Sequence, residues 1–206
     1  MKTFFAYIGT YFEKYLTSLA RAVEISPNTI TIAGFVVTII ASIVLTHNLF
    51  LGGILIVLGS LFDMFDGISA RMYNRATEYG AFLDSVVDRY SDSVLLTGFA
   101  WYFIERGSMA GALLSVGTMV GALLISYVRA RAEGLGRECK TGLMERPERI
   151  VFMSLAALTG LVLPFMIILF ILTHYTVIQR VYYVKKQMEE TERVKDAKGQ
   201  RHKEKK

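Results

Sequence analysis

The chain has 206 residues, of which 53% are hydrophobic and 12% aromatic, and its formal net charge is +5. A mean hydropathy of +0.41 is too apolar for a water-soluble domain of this size and indicates a membrane protein. One cysteine and three scattered histidines exclude an internal disulfide and a cysteine- and histidine-based zinc cluster.

The first segment, residues 1–22, is predicted to be an amphipathic helix at the membrane surface. Apolar residues recur at helical spacing from Phe5 to Leu19, whereas Glu13, Lys14 and Arg21 lie at other positions. This pattern is typical of a helix in the cytoplasmic interface. We expect no cleavable signal peptide, because no apolar region precedes a small-residue cleavage site.

Uncharged stretches predict a membrane core over residues 23–190. Residues 25–62 contain no Asp, Glu, Lys or Arg, and this stretch is nearly twice the roughly 20 residues that cross a bilayer. Residues 107–128 and 150–179 are also uncharged. With breaks at turn signals, and with an acidic helical segment from Glu78, the predicted transmembrane helices are 28–47, 50–74, 78–104, 109–134, 147–162 and 164–189. The fold class is therefore all-α integral membrane: six transmembrane helices preceded by the interfacial helix.

Lysine and arginine residues are concentrated on one side of this arrangement. Arg106 is the one Lys or Arg in the predicted outside loops, whereas the remaining loops and both ends of the chain are rich in them. The positive-inside bias therefore predicts cytoplasmic termini and a cytoplasmic active site. Residues 191–206 are highly charged and are predicted to form a basic disordered tail.

Acidic residues follow helical spacing on two consecutive predicted helices. Asp63 and Asp66 are three positions apart, and Asp84 and Asp88 are four positions apart, so each pair shares a helix face. Asp92 follows one turn after Asp88, and its role is open. A short connection makes the two helices antiparallel neighbours, so their acidic faces are expected to meet.

Three interpretations of these carboxylates remain open from the residues alone. Facing carboxylates in a low dielectric repel each other unless cations lie between them, and oxygen ligands favour hard ions such as Mg²⁺ or Mn²⁺. Acids within a membrane also form ion pathways, which would make the chain a divalent-cation transporter. A structural ion pair, for example between Asp88 and an arginine, is the third interpretation.

Residues 63–88 read D-x2-D-G-x2-A-R-x8-G-x3-D-x3-D, which resembles the signature of the CDP-alcohol phosphatidyltransferases. The segment "SPNTIT", residues 26–31, resembles the start of the first membrane helix in that family. The resemblance implies that an alcohol attacks a CDP-activated lipid and CMP leaves. It also implies a homodimer surrounded by membrane lipids, and no nucleic-acid partner is expected.

The same resemblance implies roles for individual residues. One or two Mg²⁺ or Mn²⁺ ions would be held by Asp63, Asp66, Asp84 and Asp88. Asp88 would also be the catalytic general base. The CDP-lipid would be bound by Asn28, Thr31, Asp63, Gly67, Ala70, Arg71 and Gly80.

The segment "SYVRARAEGLGRECKTGLMERPERI", residues 126–150, is rich in arginine. Pro147 suits the first turn of a helix, whose N-terminus favours an anion. Positive-inside bias alone is a competing explanation for these cations. The segment resembles the branch of the family whose acceptor is inositol phosphate.

That resemblance implies an acceptor-phosphate site formed by Ser126, Arg129, Arg146, Arg149 and Arg180. Glycerol 3-phosphate is the alternative acceptor, because it carries a phosphate as well. The sequence does not distinguish an ester-linked from an ether-linked lipid donor.

Overall fold

The computed structural model describes the backbone of residues 26–72 and 77–203, with all side chains except those of 66–72, 192 and 194–203. These ranges contain six α-helices and no strand: α1 (Pro27–His47), α2 (Leu49–Met72), α3 (Glu78–Glu105), α4 (Met109–Gly134), α5 (Arg146–Thr159) and α6 (Val162–Lys203). The predicted all-α class is confirmed. The predicted interfacial helix at 1–22 lies outside the described residues.

Hydroxyl side chains cap the two helices that begin beside each other near the candidate site. Ser26 Oγ accepts a hydrogen bond from the Thr29 backbone N–H at 3.3 Å, immediately before α1. Thr77 Oγ1 accepts one from the Gly80 N–H at 3.0 Å, immediately before α3. Both bonds satisfy N–H groups that a helix leaves unpaired in its first turn, so both start points follow from local sequence.

The six helices pack as a closed ring. α1 packs against α2 and α3, α4 packs against α3 and α6, and α5 lies between α2 and α6. Apolar side chains fill the centre, and the largest fully buried ones include Leu45, Ile56, Leu95, Phe99, Met153 and Leu169. Because α2 and α5 are neighbours in this ring, residues far apart in sequence meet at one end of the bundle.

Close helix packing positions the first acidic residue of α2. A Cβ on Gly34 of α1 would lie 2.8 Å from Phe62 Cβ and 3.4 Å from Asp63 Oδ1. Only a residue without a side chain lets α1 approach α2 this closely. The tight contact holds Asp63 against the N-terminal half of α1.

Three segments among the described residues are long and apolar enough to cross a membrane. They are Pro27–His47, Met109–Gly134 and the Val162–Thr191 part of α6. α2 contributes a shorter apolar segment, Leu49–Phe65, before its acidic end. The length and composition of these segments support a membrane protein.

The helix boundaries lie within a turn of the predicted ones, with one exception. α5 ends at Thr159 because Gly160 adopts a left-handed conformation, with φ of 74°. α6 does not end near residue 189, and the tail predicted to be disordered from 191 continues instead as helix to Lys203. Ion pairs one turn apart, Lys185–Glu189 at 3.7 Å and Lys186–Glu190 at 4.0 Å, favour this extension.

Candidate active site

The two acidic helix faces converge on one arginine. Arg146, the first residue of α5, places Nη2 at 2.7 Å from Asp63 Oδ2 and Nη1 at 2.5 Å from Asp88 Oδ1. Its Nε lies 3.9 Å from Asp92 Oδ1. Carboxylates of α2 and α3 therefore contact a single guanidinium. This agrees with the prediction that the two acidic helix faces meet.

Electrostatics explains why Arg146 occupies this position. Asp63, Asp84, Asp88 and Asp92 repel one another in a site that is largely shielded from water. A guanidinium presents donors in a planar fork that matches carboxylate oxygens, so it compensates several charges at once. Burial alone would lower the pKa of Arg146, but the surrounding carboxylates outweigh it and raise that pKa above its ordinary value. Arg146 is therefore charged at any physiological pH.

A second arginine, Arg149, is buried against Asp92. Arg149 Nε donates to Asp92 Oδ2 at 3.1 Å, and its Nη2 contacts the same oxygen. Arg149 Nη1 donates to the Met144 carbonyl at 3.2 Å. The side chains of both partners are 5% exposed or less. Asp92, whose role the sequence leaves open, is thus the buried partner of Arg149 and joins α3 to α5.

The carboxylate oxygens of this site suit a divalent ion. Asp63, Asp84 and Asp88 offer only oxygen ligands, which hard ions such as Mg²⁺ and Mn²⁺ prefer. Asp88 Oδ1 is buried without a hydrogen bond of good geometry, although it lies in ion-pair contact with Arg146. Within the described side chains no three His, Cys, Asp or Glu residues are arranged as a metal site. Asp66, the remaining predicted ligand, has a side chain outside the described part.

The predicted CDP-lipid residues fall into two groups. Asn28 and Gly80 are neighbours, because a Cβ on Gly80 would lie 3.4 Å from Asn28 Oδ1. Thr31 is buried one turn further along α1, where its hydroxyl donates to the Pro27 carbonyl at 3.1 Å. The side chains of the second group lie outside the described part: Gly67, Ala70 and Arg71.

All five predicted acceptor-phosphate residues line one cavity of about 190 Å³. They are Ser126, Arg129, Arg146, Arg149 and Arg180. Asp88 and Asp92 line the same cavity, so the acidic cluster and the basic residues border one space. The structure therefore brings these five residues to one place, while their role in binding an acceptor phosphate stays a prediction.

Only some of these cations are free to meet a ligand. Arg129 is about half exposed and makes a one-turn ion pair with Glu133 at 2.9 Å. Arg180 is buried: its Nη1 donates to the Ile125 carbonyl and its Nε to the Thr141 carbonyl, each at 2.7 Å. Arg129 can therefore reach into the cavity, whereas Arg180 already links α6 to α4 and to the following loop.

Sequence reasoning missed two charged residues of the cavity wall. Arg89 lies next to Asp88, with Nη1 at 3.8 Å from Asp88 Oδ2. Glu145 precedes Arg146 and places Oε1 at 3.7 Å from Arg180 Nη2. Their adjacency in sequence to predicted site residues was the available signal, but charged neighbours are too common in this sequence for adjacency to select them.

Comparisons with known proteins agree with this geometry. Residues 24–184 match the family model for CDP-alcohol phosphatidyltransferase. The archaetidylinositol phosphate synthase of Methanothermobacter thermautotrophicus is 36% identical over 178 residues, which covers 83% of this chain and 89% of that protein.

Solved structures of the phosphatidylinositol phosphate synthase of Mycobacterium tuberculosis are also similar. The structure with CDP-DAG bound has a TM-score of 0.74 at 28% identity and covers 83% of this chain and 94% of that one. The complex with manganese and citrate has a TM-score of 0.71 at 29% identity, covering 82% and 88%.

The family match runs from the start of α1 into α6 and includes both the acidic cluster and the basic cavity. It sets aside the divalent-cation transporter, which was the alternative from another functional class. The chain belongs to the CDP-alcohol phosphatidyltransferase family and is a metal-dependent transferase of phospholipid biosynthesis.

Proposed function

We propose that this enzyme transfers the lipid-phosphate group of a CDP-activated lipid to a hydroxyl of inositol phosphate and releases CMP. The observation that carries the proposal is the shared cavity. Its wall includes the carboxylate of Asp88 and the five residues predicted to bind the acceptor phosphate. A phosphorylated alcohol in this cavity would have its phosphate among arginines and a hydroxyl beside a carboxylate.

The donor site is proposed at the cytoplasmic ends of α1, α2 and α3. The neighbouring positions of Asn28 and Gly80 support it, and so does the absence of a side chain at Gly80, where a Cβ would lie 3.0 Å from Thr77 Oγ1. Thr31, Asp63, Gly67, Ala70 and Arg71 complete the proposed set. The relative with CDP-DAG bound supports a CDP-activated lipid as the donor class.

The metal ligands are proposed to be Asp63, Asp66, Asp84 and Asp88, with Mg²⁺ or Mn²⁺ as the ion. When bound, divalent ions neutralise diphosphate charge and stabilise the leaving CMP. An ion held by Asp63 and Asp88 would compete with Arg146, which contacts both carboxylates. Arg146 also lines the cavity that would hold the acceptor phosphate.

Asp88 is proposed as the general base. A hydroxyl is a weak nucleophile near neutral pH. A carboxylate that accepts the hydroxyl proton during attack raises the reaction rate by about 10²–10⁴-fold. The hydroxyl proton passes to Asp88, the hydroxyl oxygen forms a bond to the donor phosphorus, and the bond from that phosphorus to CMP breaks. Asp88 fits this role because it lies where the acidic cluster meets the cavity.

The acceptor phosphate is proposed to bind Arg146, Arg129 and Ser126 directly. Arg149 and Arg180 contribute positive charge at the cavity wall while their donors hold Asp92 and three backbone carbonyls. The similarity to proteins named for inositol phosphate products supports inositol phosphate over glycerol 3-phosphate.

The membrane arrangement is proposed to comprise six transmembrane helices, with both termini and the site on the cytoplasmic side. The three long apolar segments and the positive-inside bias support this arrangement. An interfacial helix over residues 1–22 and a homodimer belong to the same proposal.

An assay of acceptors tests the proposed function. Purified protein in detergent receives CDP-lipid with ester or ether chains, Mg²⁺ or Mn²⁺, and either inositol phosphate or glycerol 3-phosphate. We expect CMP release with inositol phosphate, and identification of the lipid product by mass spectrometry. Turnover with glycerol 3-phosphate but not with inositol phosphate would overturn the acceptor assignment.

A further inference from the structure

The loop between α4 and α5 forms part of the cavity wall and has no regular secondary structure. It covers Leu135–Glu145, ends directly before Arg146, and includes positive φ values at Gly136 and Gly142 of 70° and 152°. Such a loop does not hold one conformation by its own backbone bonds. Its path, and hence the position of Arg146, must be set by contacts with another element.

That element is α6. Met144 N–H donates to Thr176 Oγ1 at 3.2 Å, and Arg180 Nε donates to the Thr141 carbonyl at 2.7 Å. Further along the helix, two more contacts continue the series. Gln187 Nε2 donates to the Glu138 carbonyl at 2.8 Å, and Arg137 Nη1 donates to Thr191 Oγ1 at 2.6 Å.

These contacts form an ordered seam. On α6 they involve Thr176, Arg180, Gln187 and Thr191, which are spaced at helical intervals and therefore share one face. On the loop they run in the opposite direction, from residue 144 back to residue 137. The loop therefore lies antiparallel along α6, with the side chain of Cys139 buried between two of these contacts and that of Met144 buried at the end of the series.

Gln187 and Thr191 form the outer half of the seam. Neither lines the cavity, whereas Arg180 does. Both are half-buried, whereas Lys186 and Glu190, which directly precede them on α6, are exposed. Their contacts fix the first part of the loop, and loosening that part would give Glu145 and Arg146 more conformational freedom at the cavity wall.

We propose that Gln187 and Thr191 are positioning residues for the acceptor site, acting through the loop Leu135–Glu145. This inference rests on the proposed function, because it assigns the acceptor to the cavity that the loop borders. The donor residues lie on α1, α2 and α3, away from the seam. Loss of the outer contacts is therefore expected to weaken acceptor binding and to leave the donor unaffected.

The test compares Gln187→Ala, Thr191→Val and the double variant with the wild type. Steady-state CMP release gives KM for inositol phosphate and KM for CDP-lipid. One lost hydrogen bond corresponds to about a 2- to 10-fold change in an equilibrium constant. We expect the acceptor KM to rise by that factor in each single variant, with the CDP-lipid KM unchanged.

Two matched control variants distinguish a specific effect on the acceptor site from a general effect on the structure of α6. Thr191→Ser keeps the accepting oxygen and should restore the wild-type acceptor KM. Lys186→Ala removes an exposed residue that pairs with Glu190 on its own helix, and it should change neither KM. Equal changes in both KM values, or an unchanged acceptor KM in the double variant, would overturn the proposal.

A second measurement does not depend on the substrate. Hydrogen–deuterium exchange of peptides covering residues 137–144 should be faster in the double variant and unchanged in Lys186→Ala. Unchanged exchange in the double variant would contradict the inference even if the enzyme used another acceptor. Failure of the proposed function would appear in the wild type, as absence of turnover with inositol phosphate.

Discussion

The guanidinium of Arg149 is buried against the carboxylate of Asp92, and this pair joins α5 to α3 beside the candidate active site. Arg149 also donates to the Met144 carbonyl, so all three of its nitrogen atoms are engaged. The pair leaves Arg146, one turn earlier on α5, as the arginine directed at Asp63 and Asp88. The two arginines of "ERPER" therefore have different surroundings and different expected roles.

Asp92→Asn is expected to destabilise the protein strongly. Removing one partner of a buried ion pair leaves an uncompensated charge and costs about 3–5 kcal/mol. Denaturant unfolding in detergent micelles measures the effect. Glu138→Gln, in the exposed pair with Lys140 at 3.1 Å, is the control and should change stability little. Equal stability of the two variants would show that the Arg149–Asp92 pair is not structurally important.

Asp88→Asn is expected to lower kcat by about 10²–10⁴-fold, because the neutral amide accepts no proton from the acceptor hydroxyl. Calorimetric titration should still detect binding of CDP-lipid, since the other donor residues remain. Glu105→Gln at the opposite end of α3, where Glu105 accepts from Trp101, serves as the control and should retain activity. Full turnover by Asp88→Asn would refute the assignment of the base.

Arg146→Gln should have opposite effects on two ligands. Divalent ions should bind more tightly in the absence of substrates, because the variant has no guanidinium on Asp63 and Asp88. The acceptor KM should rise, because the phosphate loses a cation. Titration with Mn²⁺ followed by electron paramagnetic resonance measures the first effect without any turnover. Weaker Mn²⁺ binding would mean that Arg146 orders the carboxylates instead of competing for them.

Arg180→Ala is expected to raise the acceptor KM far more than the CDP-lipid KM. The guanidinium contributes charge to the cavity and holds the Thr141 and Ile125 carbonyls. Arg180→Lys keeps the charge but lacks the planar fork, so the KM values of the two variants separate charge from positioning. A similar rise in both KM values for Arg180→Ala would argue for a general packing role.

The local features of this protein were predictable from sequence because they depend on neighbouring residues. Uncharged stretches predicted the helices, and hydroxyl caps such as Ser26 and Thr77 mark where two of them begin. The spacing of Asp84 and Asp88 required a shared helix face, and the motif that contains them matched a family whose model spans the bundle.

Other structural features depend on residues that are far apart in the sequence, so local sequence patterns could not predict them. The charged residues after 189 were typical of a disordered tail, but α6 continues to Lys203. One-turn ion pairs up to Glu190 and a loop contact at Thr191 support the first part of this continuation. The contact between Gln187 and the Glu138 carbonyl spans 49 positions, which no periodicity can indicate.

The sequence by itself determined a helical membrane chain with two acidic faces and a cluster of basic residues. The tertiary structure decided which cation meets which carboxylate, because Arg146 reaches Asp63 across 83 positions and Arg149 reaches Asp92 across 57. The physical reason is range: helix periodicity relates residues within a few turns, whereas ion pairing depends on distances set by how the whole ring of helices packs.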